Sequence, residues 1–239
     1  MNSLNVDNDQ MIKKAARIGG ISYVLLILLG LFAEMFVRSS LITTEMAVTA
    51  NNIVSNELLF RLGFFSDLFM VLLDITVGIA FYVILRNLNK TLALTGLILR
   101  LTQSVLLAIN LQRMHTALLY FKNSMVENVV EPGLLQLLGG NQLEMFKYGY
   151  FLALLFFGLY LIVIALQLRQ TDYFNKVVVL FIAMAGGLYV ADSIVNFMLP
   201  QFKMITGSNV SMIIWIVSEF SIAIGLIRLS FRKRPFYTN

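Results

Sequence analysis

Two aspartates lie inside an apolar stretch of this sequence, and their type and spacing point most directly to chemistry. Asp67 and Asp74 interrupt the run from Phe60 to Leu85. At about 100° per residue, a step of seven residues returns to nearly the same helix face. An ionised side chain at the centre of a membrane-spanning helix costs about 2.5–3.5 kcal/mol on insertion scales. Both carboxylates should therefore face protein or water, and other helices should supply their partners.

The next apolar run, residues 92–120, carries side chains suited to pair with those acids. Its polar residues fall close to one stripe of a helix and are Arg100, Gln103, Asn110 and Arg113. Only a short turn at residues 86–91 separates the two runs, so the helices should pack antiparallel. From the distance of each residue to its helix end, we predict an ion pair between Asp74 and Arg100.

Further charged residues define a candidate polar chamber. Glu34 and Arg38 are four residues apart and should pair on one helix face. Counted from the helix ends, four side chains share one depth, about 10–12 Å below the outer surface. These four are Asp67, Arg113, Asp192 and Glu219. Glu34, Arg38 and Arg61 should lie above this layer, and Asn196 follows Asp192 on the same face. The chamber would be lined by the second, third, fifth and sixth spans.

Three functions remain open for such a chamber. It could bind a small molecule, a lipid head group or an ion, with or without transport. It could be a purely structural network in an accessory membrane subunit. It could also serve an intramembrane enzyme, with Asp67, Asp192 or Glu219 as general acid or base. We favour binding, and the excess of acids favours a cationic or hydroxyl-bearing ligand, or protons. We assign no catalytic residue, metal ligand or cofactor.

The composition indicates a polytopic membrane protein. Of 239 residues, 59% are hydrophobic and 13% are charged, with no cysteine and one histidine. Cysteine-based sites are thereby excluded, and the motifs of phosphate loops, dinucleotide folds, zinc proteases and serine esterases are missing. A net charge of +5 is better explained by basic residues that flank membrane spans than by nucleic acid. The expected partner is the lipid bilayer, and no oligomeric state is indicated.

The predicted fold is an all-α bundle of six transmembrane helices with short interfacial helices in the outer loops. The spans are expected at residues 18–37, 60–85, 92–120, 146–168, 177–199 and 211–229. Interfacial helices are expected within residues 39–59 and 131–140. The fourth span has no charge in its interior and should be the most lipid-exposed. A polar segment, residues 1–17, precedes this transmembrane domain of residues 18–229, and a basic tail, residues 230–239, follows it.

The distribution of lysine and arginine predicts the orientation. Eleven of them lie on the side of the termini and five on the opposite side. Because basic residues accumulate in cytoplasmic loops, both termini should be cytoplasmic.

Two segments resemble a known family. They are ARIGGISYVLLILLGLFAEMFVRSSLI and ELLFRLGFFSDLFMVLLDITVGIAFYVILRNLNKTLALTGLILRLTQSVLLAINL. Both are similar to bacterial integral membrane proteins classified as a domain of unknown function, numbered 4386. The likeness extends over nearly the whole chain and is strongest in the first three spans. It implies a multi-pass protein of the bacterial inner membrane and supplies no activity, substrate or catalytic residue.

Overall fold

The structure, a computed structural model, describes residues 3–122, 131–199, 209–233 and 236. Within these ranges all regular structure is helical. The helices are α1 Ser3–Leu31, α2 Met46–Ser55, α3 Glu57–Leu85, α4 Lys90–Phe121, α5 Pro132–Leu168, α6 Lys176–Met198 and α7 Asn209–Ser230. α1 continues through a π-helical segment, Phe32–Arg38, and a last turn, Ser39–Leu41.

Six helices of the described chain are long and apolar enough to cross a membrane. They are α1 with its continuation, α3, α4, α5, α6 and α7. The predicted all-α bundle of six spans is therefore confirmed, and the chain is an integral membrane protein. α2 is the short helix expected in the first loop, and its buried face is formed by Thr49, Ala50 and Ile53.

The six spans pack in the order of the chain. Each span contacts the next one, and α7 closes against α1. Short turns that end in helix caps reverse the chain. The Asn89 side chain caps α4 and accepts a hydrogen bond from Leu92 N at 3.0 Å. The Asn175 side chain caps α6 and accepts one from Val177 N at 2.9 Å. The spans thus form a ring whose inner faces meet. We call the end of the ring that carries α2 the α2 end, and the opposite end the terminal end.

The first helix begins earlier than the sequence predicts. Residues of the expected polar segment form the first turns of α1, where Ile12 and Ala16 are fully buried. The Asp9 side chain accepts a hydrogen bond from Phe236 N at 3.2 Å, so the two ends of the chain meet at the terminal end. Residues 234, 235 and 237–239 of the basic tail lie outside the described residues.

Two expectations for the fourth span are wrong. No separate interfacial helix forms at residues 131–140, because α5 runs unbroken from Pro132. Gly139 and Gly140 do not stop it and instead allow close packing. A Cβ added at Gly139 would overlap the Phe121 ring, and one added at Gly140 would lie 2.5 Å from Met46 Cε. The fourth span is also the most buried of the six, with half of its apolar window inside the protein. An uncharged helix can face protein as readily as lipid.

Candidate functional site

The π-helical segment after α1 carries an arginine that joins two acids. Arg38 Nη1 donates to Asp67 Oδ2 at 2.6 Å, and Arg38 Nε donates to Glu34 Oε2 at 2.7 Å. The predicted Glu34–Arg38 pair is therefore present. Gly63 permits this approach of α1 to α3, because a Cβ there would lie 2.7 Å from Val37 Cγ1. One guanidinium is shared by two carboxylates, so this cluster carries a net negative charge when all three are ionised.

A second ion pair lies deeper in the bundle, between α3 and α4. Arg100 Nη2 donates to Asp74 Oδ1, and Gln103 Nε2 donates to Asp74 Oδ2 at 2.9 Å. The side chains of Arg100 and Asp74 are 1% and 3% exposed. The ion pair predicted between them is confirmed. Gly78 makes room for it, since a Cβ there would lie 3.1 Å from Arg100 Cγ.

Aromatic rings enclose the guanidinium of Arg100. Its Cζ lies 4.6 Å from the centre of the Phe157 ring and 5.0 Å from that of Tyr160. Cation–π attraction is strongest where water is excluded, as it is here. The guanidinium is thus held on one side by Asp74 and on the others by rings of α5 and α1. The Tyr23 ring of α1 has its centre 6.0 Å from Arg100 Cζ.

A fourth acid, Glu219 of α7, faces the same region and forms no ion pair in the described contacts, although the charge of Arg100 acts on it through space. Tyr189 Oη donates to Glu219 Oε1 at 2.6 Å. The Tyr189 ring stacks on Trp215, with centroids 4.8 Å apart and an interplanar angle of 10°. Two buried polar atoms nearby, Gln103 Oε1 and Trp215 Nε1, have no hydrogen-bond partner among the described residues.

These groups surround a cavity of about 420 Å³, which we call the central cavity. Its charged lining residues are Glu34, Arg38, Asp74, Arg100 and Glu219. Its aromatic lining residues are Tyr150, Phe157, Tyr189, Trp215 and Phe220. With Asp67, which is bound to Arg38, four carboxylates stand against two guanidiniums. The wall therefore combines an excess of negative charge with aromatic surface.

A second cavity of about 680 Å³ lies at the α2 end, and we call it the α2-end pocket. It is lined by residues that include Thr43, Met46, Glu144 and Lys147. It shares Glu34, Arg38 and Tyr150 with the central cavity. Both spaces therefore border the Arg38 cluster, which lies between them and which we call the neck.

Other predicted site residues lie outside both cavities. Asn110 Nδ2 donates to Phe146 O at 2.7 Å and so ties α4 to α5. Arg113 Nη1 contacts Gln142 Oε1 at 3.1 Å, also between α4 and α5. Arg61 pairs with Glu57 at 2.7 Å at the start of α3. Asn110 and Arg113 thus join α4 to α5, whereas the Arg61–Glu57 pair lies within α3.

The predicted layer of four residues is not one site. Glu219 lines the central cavity, and Asp67 reaches it through Arg38. Arg113 lines neither cavity, and Asp192 is buried on α6, where Asn196 Nδ2 lies 3.4 Å from its Oδ1 and 2.9 Å from its backbone oxygen. The depth of a residue along its helix does not fix the direction in which its side chain points.

Sequence reasoning missed the aromatic wall and the partner of Asp67. The inward face of α5 repeats at spacings of four and three residues, through Phe146, Tyr150, Ala153, Phe157 and Tyr160. This is the pattern of a helix with one packed face, and it would have marked the fourth span as buried. The Arg38–Asp67 contact has no comparable signal, because it depends on the π-helical segment.

Metal binding is not the chemistry that this arrangement favours. No group of three or more His, Asp or Glu side chains in the described ranges is placed to hold a metal ion. An aromatic wall with single carboxylates is instead typical of sites for organic cations.

Comparison with known proteins identifies the family. No curated protein and no solved structure matches the chain. The profile of one family, described as a domain of unknown function (DUF4386), matches residues 18–228 and so includes all six spans. The chain belongs to the DUF4386 family.

Proposed function

We propose that this membrane protein binds a small organic cation in its central cavity. The observation that carries the proposal is the charge balance of the wall. Arg38 is matched by two acids and Arg100 by one, which leaves Glu219 with a neutral tyrosine as its donor. A cation beside Glu219 would compensate a charge that the described contacts leave uncompensated, at a place where the low dielectric strengthens the attraction.

The shape and lining of the cavity support the same ligand class. A volume of about 420 Å³ lies in the range of small-molecule sites, which is roughly 300–1,000 Å³. The faces of Trp215 and Tyr189 attract a cation in addition to the carboxylate. Gln103 Oε1 and Trp215 Nε1 could bond to a hydroxyl or amine of the ligand, since neither has a described protein partner.

The α2-end pocket supports access from outside the cell. With the termini cytoplasmic, as the basic residues predict, this pocket lies on the outer side and meets the central cavity at Arg38. Transport would require a further opening at the terminal end. There the described residues pack in one apolar cluster around Tyr23, Phe81 and Tyr160. Because this cluster fills the terminal end, we propose binding as the activity. Transport would additionally require the cluster to open.

The structural-network alternative has support at one place only. The Asp74–Arg100 pair is enclosed by Gln103 and aromatic rings, as expected of a group that fixes packing. Glu219 and Arg38 differ in their contacts, since Glu219 has only the Tyr189 hydroxyl as a donor in the described contacts and Arg38 borders both cavities.

The protein contains its own reporter for the test. Trp215 is the single tryptophan of the chain, and it lines the central cavity. Purified protein in lipid nanodiscs should be titrated with tetramethylammonium and choline while tryptophan emission is recorded. We expect a saturable change in emission, and Glu219→Gln should weaken the apparent affinity at least about tenfold, which corresponds to about 1.4 kcal/mol.

Glu45→Gln provides the matched control. Glu45 is an exposed acid just before α2 and lines neither cavity, so its removal should leave the titration unchanged. The proposal fails if neither cation changes the emission of Trp215 in a saturable way, or if Glu219→Gln and Glu45→Gln behave alike.

A further inference from the structure

The contact between α1 and α7 changes along its length. Near the terminal end the two helices touch closely at Gly20, where an added Cβ would lie 2.9 Å from Ile227 Cγ1 and 3.0 Å from Ile227 N. No larger residue fits there without moving a backbone. The helices are antiparallel neighbours in the ring, so this contact fixes which residues face each other further along.

Towards the α2 end the same two helices border the central cavity instead. Gly20 to Leu31 and Ile227 to Ile216 are both steps of eleven residues, so Leu31 and Ile216 lie at one level, about 16 Å from the glycine contact. Both line the central cavity, as does Phe220 one turn below Ile216. The close contact between α1 and α7 at Gly20 is thus replaced by open volume at the level of Leu31 and Ile216.

The residues at this level also keep a large exposed apolar surface. Leu31 is 43% exposed, Ile216 49% and Phe220 46%, although all three line the central cavity. In a bilayer, exposed apolar side chains on the outside of a span meet lipid chains. A residue that borders both the cavity and the lipid marks a side opening. We call the gap between Leu31 on α1 and Ile216 and Phe220 on α7 the lateral opening.

We propose that the ligand is an amphiphile with an ammonium head and one hydrocarbon chain, which enters from the bilayer through the lateral opening. This inference rests on the proposed cation binding in the central cavity. The head lies beside Glu219 and Trp215, and the chain extends past Leu31 and Ile216 into the lipid.

Three observations favour this occupant over a purely water-soluble one. The head has an acid and aromatic faces to receive it. The hydrocarbon chain of the ligand has an apolar path, formed by Leu26, Ile27 and Leu31 on one side and by Ile216 and Phe220 on the other. Each methylene of a hydrocarbon chain is more stable in an apolar environment than in water, and a chain that stays in lipid keeps this stabilisation while the head is bound.

The test uses short-range quenching of Trp215. Bromine atoms quench an indole on contact, so a hexadecyl trimethylammonium brominated near its head group reports the entry of head and chain together. The uncharged alcohol with the same brominated chain controls for partition into the nanodisc. We expect the cation to quench Trp215 at a several-fold lower mole fraction in the bilayer than the alcohol, and we expect Glu219→Gln to remove the difference.

Labels on introduced cysteines test the entry of the ligand through the lateral opening, since the protein has no native cysteine. Leu31→Cys carrying a bulky, non-fluorescent maleimide should abolish quenching by the brominated cation. Leu28→Cys with the same label is the control. Leu28 lies on α1 and is 57% exposed, but it borders a groove against α3 and not the central cavity.

The outcomes separate the two proposals. If tetramethylammonium gives a saturable change but the brominated cation quenches no better than the alcohol, the lateral inference fails and cation binding stands. Equal quenching with the label at Leu31 and at Leu28 also overturns the lateral route. If no cation alters Trp215 emission, both proposals fail.

Discussion

At the scale of single residues, Arg100 and the half-buried Arg38 differ in surroundings. Arg100 is enclosed by Asp74 and by aromatic rings, and its Nε and Nη1 have no hydrogen-bond acceptor among the described residues. Arg38 lies at the neck between two cavities. A lysine could not replace Arg100, because only a planar guanidinium can lie against rings and still donate in its plane. Arg100 therefore stabilises the bundle, whereas Arg38 borders both cavities.

Breaking the deeper pair should be costly. Asp74→Asn leaves the guanidinium of Arg100 buried without its carboxylate, so we expect the free energy of unfolding to fall by about 3–5 kcal/mol. The double variant Asp74→Asn with Arg100→Met should be more stable than Asp74→Asn alone, since no buried charge remains. Unfolding in mixed detergent micelles, followed by circular dichroism, measures both variants.

The Arg38–Asp67 pair at the neck provides the comparison for the stability of the Asp74–Arg100 pair. Asp67→Asn leaves Arg38 with Glu34 as a partner and with access to the cavities, so its cost should be clearly smaller than that of Asp74→Asn. If the two substitutions cost the same, or if the double variant is no better than Asp74→Asn, then the Asp74–Arg100 pair is not the structural element described above.

At the scale of helices, small irregularities position the site. The π-helical segment Phe32–Arg38 contains both Glu34 and Arg38. A π-helical turn holds more residues per turn than an α-helix and shifts the faces that follow it, which is why such turns are frequent at functional sites. Val37 of this segment is fully buried against Gly63. The irregular turn and the glycine together bring Arg38 within bonding distance of Asp67.

Neighbouring glycines in α6 predict opposite effects of the same substitution. An added Cβ at Gly186 would lie 2.7 Å from Gly158 O on α5, so Gly186→Ala must separate two backbones. Nothing lies within 4 Å of a Cβ at Gly187. We expect Gly186→Ala to lower stability by about 1–3 kcal/mol and Gly187→Ala to be neutral or slightly stabilising. Thermal unfolding of both variants in the same detergent is the measurement, and equal midpoints would contradict the packing of α5 on α6.

The Asp74–Arg100 pair shows what the sequence can predict here. A short turn makes α3 and α4 neighbours, and helix geometry then fixes depth and face, so two residues in a hairpin can be paired from spacing alone. Asp67 could not be assigned this way. Its partner comes from α1, which is distant in the chain, and a π-helical segment alters the face that α1 presents. Asp192 and Arg113 do not join the central cavity for a related reason, because depth along a helix does not fix the direction in which a side chain points.

At the scale of the whole molecule, a ring of six spans creates the candidate site. Because each span contacts its two neighbours in the chain and α7 closes on α1, the polar inner faces converge on the central cavity. The last closure is the one between the first and the last span, and it is there that the lateral opening lies. Ring closure between chain ends leaves a seam that no connecting loop constrains.

The orientation of this ring decides which compartment the α2-end pocket meets. Basic residues concentrate at the terminal end, so that end should be cytoplasmic. Asn51 on α2 and Gln170 between α5 and α6 are exposed at opposite ends, and no native cysteine interferes. In spheroplasts, a membrane-impermeant maleimide should label Asn51→Cys, and it should label Gln170→Cys only after the membrane is permeabilised. The reverse pattern would turn the α2-end pocket towards the cytoplasm, and the organic cation would then have to reach Arg38 from inside the cell.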